Sequence, residues 1–162
     1  MSTSVRFERS HEIVIDAPAG DILDYVSNPN SWPEWIAASH HIDSPPRPLA
    51  AGERFRERWH TRTGEVLLDW LVTECDHPRL WVAETRTEFI GAIIVRYEVE
   101  PAAPGCRYRR TLINPARPPC RTIRWRAGRK YFRRSLVIGR SQAYHLICAN
   151  LIFSLRARYK FS

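Results

Sequence analysis

Residues 11–36 read HEIVIDAPAGDILDYVSNPNSWPEWI, and the order of patterns within them decides the fold. RSHEIVID alternates apolar and polar positions and runs into a turn signal, which predicts a first strand near residues 9–16. Asp16 or Pro18 then leads into AGDILDYVSN, where Ile22, Leu23, Tyr25 and Val26 recur at helical spacing. Asn28, Pro29 and Asn30 break that helix. SWPEWIAA predicts a second short helix, with Ser31 as N-cap and Pro33 in the first turn, where its missing N–H is harmless. Trp32 and Trp35 therefore stand where helix gives way to loop. Two readings fit them: rings that plug the end of a core, or rings that wall a pocket and touch a ligand. Aromatic residues at element ends more often serve packing.

Outward from this stretch, HHIDSPPRPLAAG reads as a proline-rich loop. Strands follow in quick succession: ERFRERWHT, GEVLLDWLVTECD, LWVAETRTE, GAIIVRYEVEP and CRYRRTLI, separated by short turns. Spacing this short leaves no room for crossover helices, so the sheet is expected to be an antiparallel meander. Tyr144, Ile147, Cys148, Leu151, Ile152 and Leu155 fall at i, i+3, i+4 spacing, which predicts a terminal helix over 141–158. The class is α+β.

A chain of 162 residues with 44% hydrophobic content fits one domain with a sizeable core. No apolar run reaches the roughly 18 residues of a membrane span, and no signal-peptide core is present, so a cytoplasmic protein is expected. Cys75, Cys106, Cys120 and Cys148 lie far apart with no C-x-x-C pair, which argues against a metal knuckle or a disulfide framework and for buried or semi-buried thiols. His40-His41 has no carboxylate or thiol at ligand spacing, so neither metal nor cofactor is expected. Nucleophile-elbow, dinucleotide and Walker patterns are absent.

The residues 10–113 resemble the SRPBCC superfamily, in its START-like and polyketide cyclase/dehydrase-like branch. The resemblance is carried by strand HEIVIDAP, helix GDILDYVSNPNSWPEW, the GERFRERW strand and WLVTECDHPRLWVAET. It implies a helix-grip fold: an antiparallel sheet curled around a long C-terminal helix, two short helices after the first strand, and an apolar cavity between sheet and helix. Trp32 and Trp35 would then lie at the cavity mouth.

Period-two alternation assigns the strand faces. Phe55, Glu57 and Trp59 share one face of their strand against four basic residues. Val66, Leu68, Trp70 and Val72 share another, Ile93, Val95, Tyr97 and Val99 a third, and Cys106, Tyr108, Arg110 and Leu112 a fourth. The expected pocket joins Trp32, Trp35, Phe55, Trp59, Trp70, Tyr97 and Tyr108 to Tyr144, Ile147 and Leu151 of the terminal helix. Apolar walls with few polar groups suit a small-molecule site. Glu57 and Arg110 bring the charges: either a buried ion pair, or a catalytic pair in which Arg110 polarises a carbonyl and Glu57 moves a proton.

Charge divides the chain. Residues 1–115 hold thirteen Arg and all seventeen acids, whereas residues 116–162 hold twelve Lys and Arg and no acid. The segment 116–140 interleaves Arg with Trp125, Tyr131 and Phe132. Its readings are a solvated connector, a stretch translated out of its ancestral frame, or a patch for RNA or an anionic membrane at 117–134. The leading functional expectation is a carrier or sensor of a hydrophobic or aromatic small molecule, lipid- or polyketide-like. Its rival is an enzyme of the polyketide cyclase/dehydratase type using Glu57 and Arg110. Oligomeric state stays open.

Overall fold

Seven strands form one antiparallel sheet, in which the first strand pairs with the last and the others follow from it in reverse chain order, ending on the second. The computed structural model describes residues 5–36, 39–61, 64–87 and 91–117. The expected terminal helix at 141–158, with Tyr144, Ile147 and Leu151, lies outside the described residues, as does the basic segment beyond residue 117.

Strand β1 (Val5–Ile15) is followed by α1 (Ala19–Ser27), a 3-10 turn at Pro29–Ser31 and α2 (Trp32–Trp35). Then come β2 (Ser39–Asp43), β3 (Arg54–Thr61), β4 (Gly64–Asp76), β5 (Leu80–Thr87), β6 (Gly91–Pro101) and β7 (Cys106–Arg117). The bounds of β4 and β6 coincide with the sequence patterns. In β4, Leu68, Trp70 and Val72 are buried while Leu67 and Asp69 face out. In β6, Ile93, Val95, Tyr97 and Val99 are buried.

Two local expectations are corrected. Residues 39–43 form an edge strand rather than loop, paired with β3 through Ser39↔Trp59 and, past an irregularity, His41↔Arg58. His40 stacks there on His60, ring centroids 4.0 Å apart. Ser31 does not cap α2. Its hydroxyl donates instead to the Tyr25 carbonyl at 2.7 Å and accepts the Trp35 indole N–H at 3.1 Å, which locks α2 to α1.

The short helices cover one end of the sheet's inner face, with α1 packing on β5 and β6. Ile22, Leu23 and Val26 of α1 are fully buried. Trp32 stands within 6.4 Å of five other rings: Trp35, Phe55, Trp70, Trp81 and Tyr97, all edge-on. Its indole N–H donates to the Val26 carbonyl at 2.9 Å, so the ring is buried without a stranded donor. The loop after β2 is tied down by Leu49, whose N–H donates to the Ser27 carbonyl and whose carbonyl accepts the Trp81 indole N–H at 2.8 Å.

The β6–β7 turn needs Gly105. Its φ of +76° lies in the left-handed region, and a Cβ there would collide with the backbone of Ile15, Asp16 and Ala17. Among the described residues no helix is long and apolar enough to cross a membrane. Cys106 is buried as expected, whereas Cys75, at the outer end of β4, is exposed.

Candidate functional site

The inner face of the sheet carries the aromatic residues named from the sequence. Phe55 and Trp70 are direct partners across β3 and β4, and their rings stack with centroids 5.9 Å apart. Tyr97 stacks on Trp81 at 5.3 Å and lies 5.9 Å from Tyr108. Trp59 is half-buried toward the β2 edge, while Phe55, Trp70, Tyr97 and Tyr108 are buried.

Into this apolar surface β3 projects Glu57, which is fully buried. Leaving a carboxylate there costs several kcal/mol of hydration unless neighbours replace the lost water. The Trp70 indole N–H donates to Glu57 Oε2 at 2.9 Å. Ser39 of β2 and Trp59, partners across the ladder, also bring polar atoms to the carboxyl. They approach without completing the geometry: Ser39 Oγ, Trp59 Nε1 and Glu57 Oε1 are buried atoms left without a full hydrogen bond. Burial pushes the Glu57 carboxyl above its ordinary range, and the contacts of Ser39, Trp59 and Trp70 and the charge of Arg110 only partly oppose it.

Arg110 comes from β7, where it is the direct partner of Tyr97. It is buried at 9% exposure, and its guanidinium carbon sits 6.0 Å from the centroid of the Trp35 ring, within cation–π range. Burial pushes the Tyr97 hydroxyl up to about 12, with the charge of Arg110 opposing, so Tyr97 stays a neutral donor at physiological pH. Glu57 and Arg110 are the only buried acid and the only buried cation among the described residues. The fold thus gathers the Glu57 carboxyl, the Arg110 guanidinium, the Tyr97 and Tyr108 phenols, the Ser39 hydroxyl and the Trp59 and Trp70 indole N–H groups on a face otherwise made of rings.

Chemically, such a face can hold a flat or apolar body and bond one oxygen-bearing end of it. A carboxyl whose proton affinity burial raises can exchange a proton with a ligand, and a guanidinium can stabilise charge developing on a ligand oxygen. Among the described residues no group of three or more His, Cys, Asp or Glu could hold a metal ion.

Two members of this arrangement were not named from the sequence. Trp81 is fully buried beside Tyr97. The alternation Trp81, Ala83, Thr85 in LWVAETRTE would have placed it on the inner face. Ser39 had no readable signal, because its position depends on β2 being a strand. An open groove of about 760 Å³ is lined by Phe55 and Trp70 together with Asp43, Ser44, Pro45, Arg54, Arg56 and Asp69. Its Arg56–Asp69 ion pair at 2.9 Å is solvent-exposed.

In known structures the same architecture recurs. A Rhodobacter sphaeroides protein aligns with a TM-score of 0.66 at 15% identity, covering 94% of this chain and 93% of that one. StfQ, a di-domain ARO/CYC from the steffimycin biosynthetic pathway, aligns with a TM-score of 0.66 at 14% identity. The alignment covers 95% of this chain and 53% of StfQ, so the chain spans about half of that two-domain protein. Ara h 8.0201 aligns with a TM-score of 0.59 at 9% identity, covering 93% of this chain and 99% of its own. At such identities the likeness shows the helix-grip fold. No curated protein matches the chain in sequence. The family model described as polyketide cyclase / dehydrase and lipid transport matches residues 5–139, and the chain belongs to that SRPBCC-type family.

Proposed function

We propose that the protein binds a hydrophobic or aromatic small molecule, lipid- or polyketide-like, against the inner face of the sheet, as a carrier or sensor. The observation that carries this reading is Glu57: a fully buried carboxyl with Oε1 unmatched, set among aromatic rings. A carboxyl serving structure alone would be expected to have its hydrogen bonds completed. Left incomplete on an apolar face, it supplies the orienting polar group that small-molecule pockets require. Membership in a family named for polyketide chemistry and lipid transport supports the same reading. Trp32, held edge-on by five rings, serves packing here, and Trp35, Trp59, Tyr97 and Tyr108 are the candidate contacts.

Titration with Nile red, an uncharged dye that brightens in apolar surroundings, tests it. One saturable site per chain, weakened in Trp59→Ala, is the expected result. Absence of saturable binding contradicts the proposal.

A second reading is favoured by the elevated Glu57 and the field of Arg110 acting together. It is cyclisation or dehydration of a polyketide-like substrate, with Arg110 polarising a carbonyl and Glu57 moving the proton. Glu57→Gln should then abolish turnover and leave affinity nearly intact, whereas equal loss of both argues for binding alone.

A further inference from the structure

The irregularity in β2 re-aims one side chain. Ser39 pairs with Trp59 and His41 with Arg58, so β2 advances two residues where β3 advances one. Without that extra residue, the His41↔Arg58 register would set position 39 opposite His60, on the exposed side of the sheet. The irregularity turns Ser39 instead to the side of Trp59 and Glu57, where it is 3% exposed. Three polar atoms thus meet at the β2 edge of the inner face: Ser39 Oγ, Glu57 Oε1 and Trp59 Nε1, all buried and none with a full hydrogen bond.

Their capacities differ. The indole only donates, the hydroxyl donates and accepts, and the carboxyl oxygen accepts when ionised and donates when protonated. The approach of Ser39 and Trp59 to Glu57 uses only part of what the hydroxyl and the carboxyl can bond. A ligand group facing all three must accept from Trp59 and suit Glu57 in either ionisation state. A ketone or ether oxygen only accepts, and so sets a lone pair against an ionised Glu57. An ammonium group only donates, and meets the Trp59 N–H head-on. A carboxylate brings a second negative charge beside an ionised Glu57. An uncharged hydroxyl fits both states, because it donates to the carboxylate or accepts from the acid.

We propose that Ser39, Glu57 and Trp59 form a hydroxyl-recognition site, which takes an alcohol or phenol carried on an apolar body. The proposal rests on the ligand-binding reading and names its ligand class. Trp59, half-buried at the same edge, places the site within reach of a ligand entering from solvent.

Displacement of Nile red from the full chain by 2-naphthol and by 2-methoxynaphthalene, near neutral pH, tests this. The two probes share a ring system, and only the first can donate. The expected result is naphthol binding about tenfold or more tighter than the ether. Ser39→Ala removes the hydroxyl, and Trp59→Phe keeps a ring without its N–H. Each is expected to lower the naphthol-to-ether preference by about threefold or more, whereas a general loosening of the fold would weaken both probes alike. Equal binding of the two probes, preference for the ether, or a preference unchanged in both variants overturns the inference and leaves the pocket standing. Bound Nile red that neither probe displaces does the same. Absence of saturable Nile red binding removes the ligand-binding reading and this inference together.

Discussion

Trp70 on β4 donates its indole N–H to Oε2 of Glu57 on β3 at 2.9 Å, so the one buried acid among the described residues is held by a neutral partner on the adjacent strand. A neutral donor offsets less of the lost hydration than a contact ion pair would, and burial accordingly dominates the Glu57 carboxyl.

A pH dependence follows, and its sign is fixed. The carboxyl is raised in the folded state above its ordinary 4.5, so the folded protein holds this proton more firmly than the unfolded chain. The stability it contributes is fully present below 4.5 and is lost as pH rises through the raised value. Glu57→Gln should remove that slope and unfold at higher urea than wild type on the alkaline side. Urea midpoints at a series of pH values check this, and parallel curves for both proteins would contradict it.

Glu53 should show the opposite slope. Its carboxyl is held down to about 2, chiefly by the hydrogen bond from Arg47, with the Ala50 N–H adding to it. That contribution is present above 4.5 and is lost as pH falls through about 2. The pair is solvent-exposed, so screening keeps the effect small. Acid unfolding of Glu53→Gln compared with wild type, at low and high salt, measures it.

Trp32→Ala should cost about 3–5 kcal/mol, the range for emptying a large aromatic site in a packed core. Five rings lean on Trp32, and none can fill its volume without leaving its own neighbours. Trp59→Ala, at a half-buried edge position, should cost clearly less. Chemical denaturation followed by far-ultraviolet circular dichroism compares them without relying on tryptophan emission.

Gly105→Ala and Gly52→Ala separate backbone strain from collision. Both glycines have positive φ, +76° and +88°, so each alanine carries a left-handed penalty of about 1–2 kcal/mol. Only at Gly105 would the new Cβ also strike neighbouring backbone, whereas nothing lies within 4 Å at Gly52. Thermal unfolding should show a modest loss for Gly52→Ala and a severe one for Gly105→Ala.

The meander was legible because strand patterns follow one another across short turns, and the parity of β3 and β7 puts Glu57 and Arg110 inward. What the sequence hid depends on distant partners. SHHID carries two histidines and runs into prolines, so nothing local marks it as β2; the backbone of β3 makes it a strand. Ser31 looks like an N-cap because Ser-x-Pro-Glu suits one, yet Tyr25 and Trp35 compete for its hydroxyl and win. Trp81 stands on the alternation Trp81, Ala83, Thr85, but the apolar Val82 beside it makes that alternation weak in the sequence. Glu57 was found, but its main hydrogen-bond partner, an indole thirteen residues away across a hairpin, belongs to register rather than to spacing.

The most direct test of the central claim is native mass spectrometry of the purified protein beside its denatured mass. The account predicts a reproducible excess that disappears on denaturation, corresponds to a single apolar small molecule per chain, and shifts in abundance in Glu57→Gln. A native mass equal to that of the bare chain, unchanged after incubation with 2-naphthol and Nile red, would contradict it.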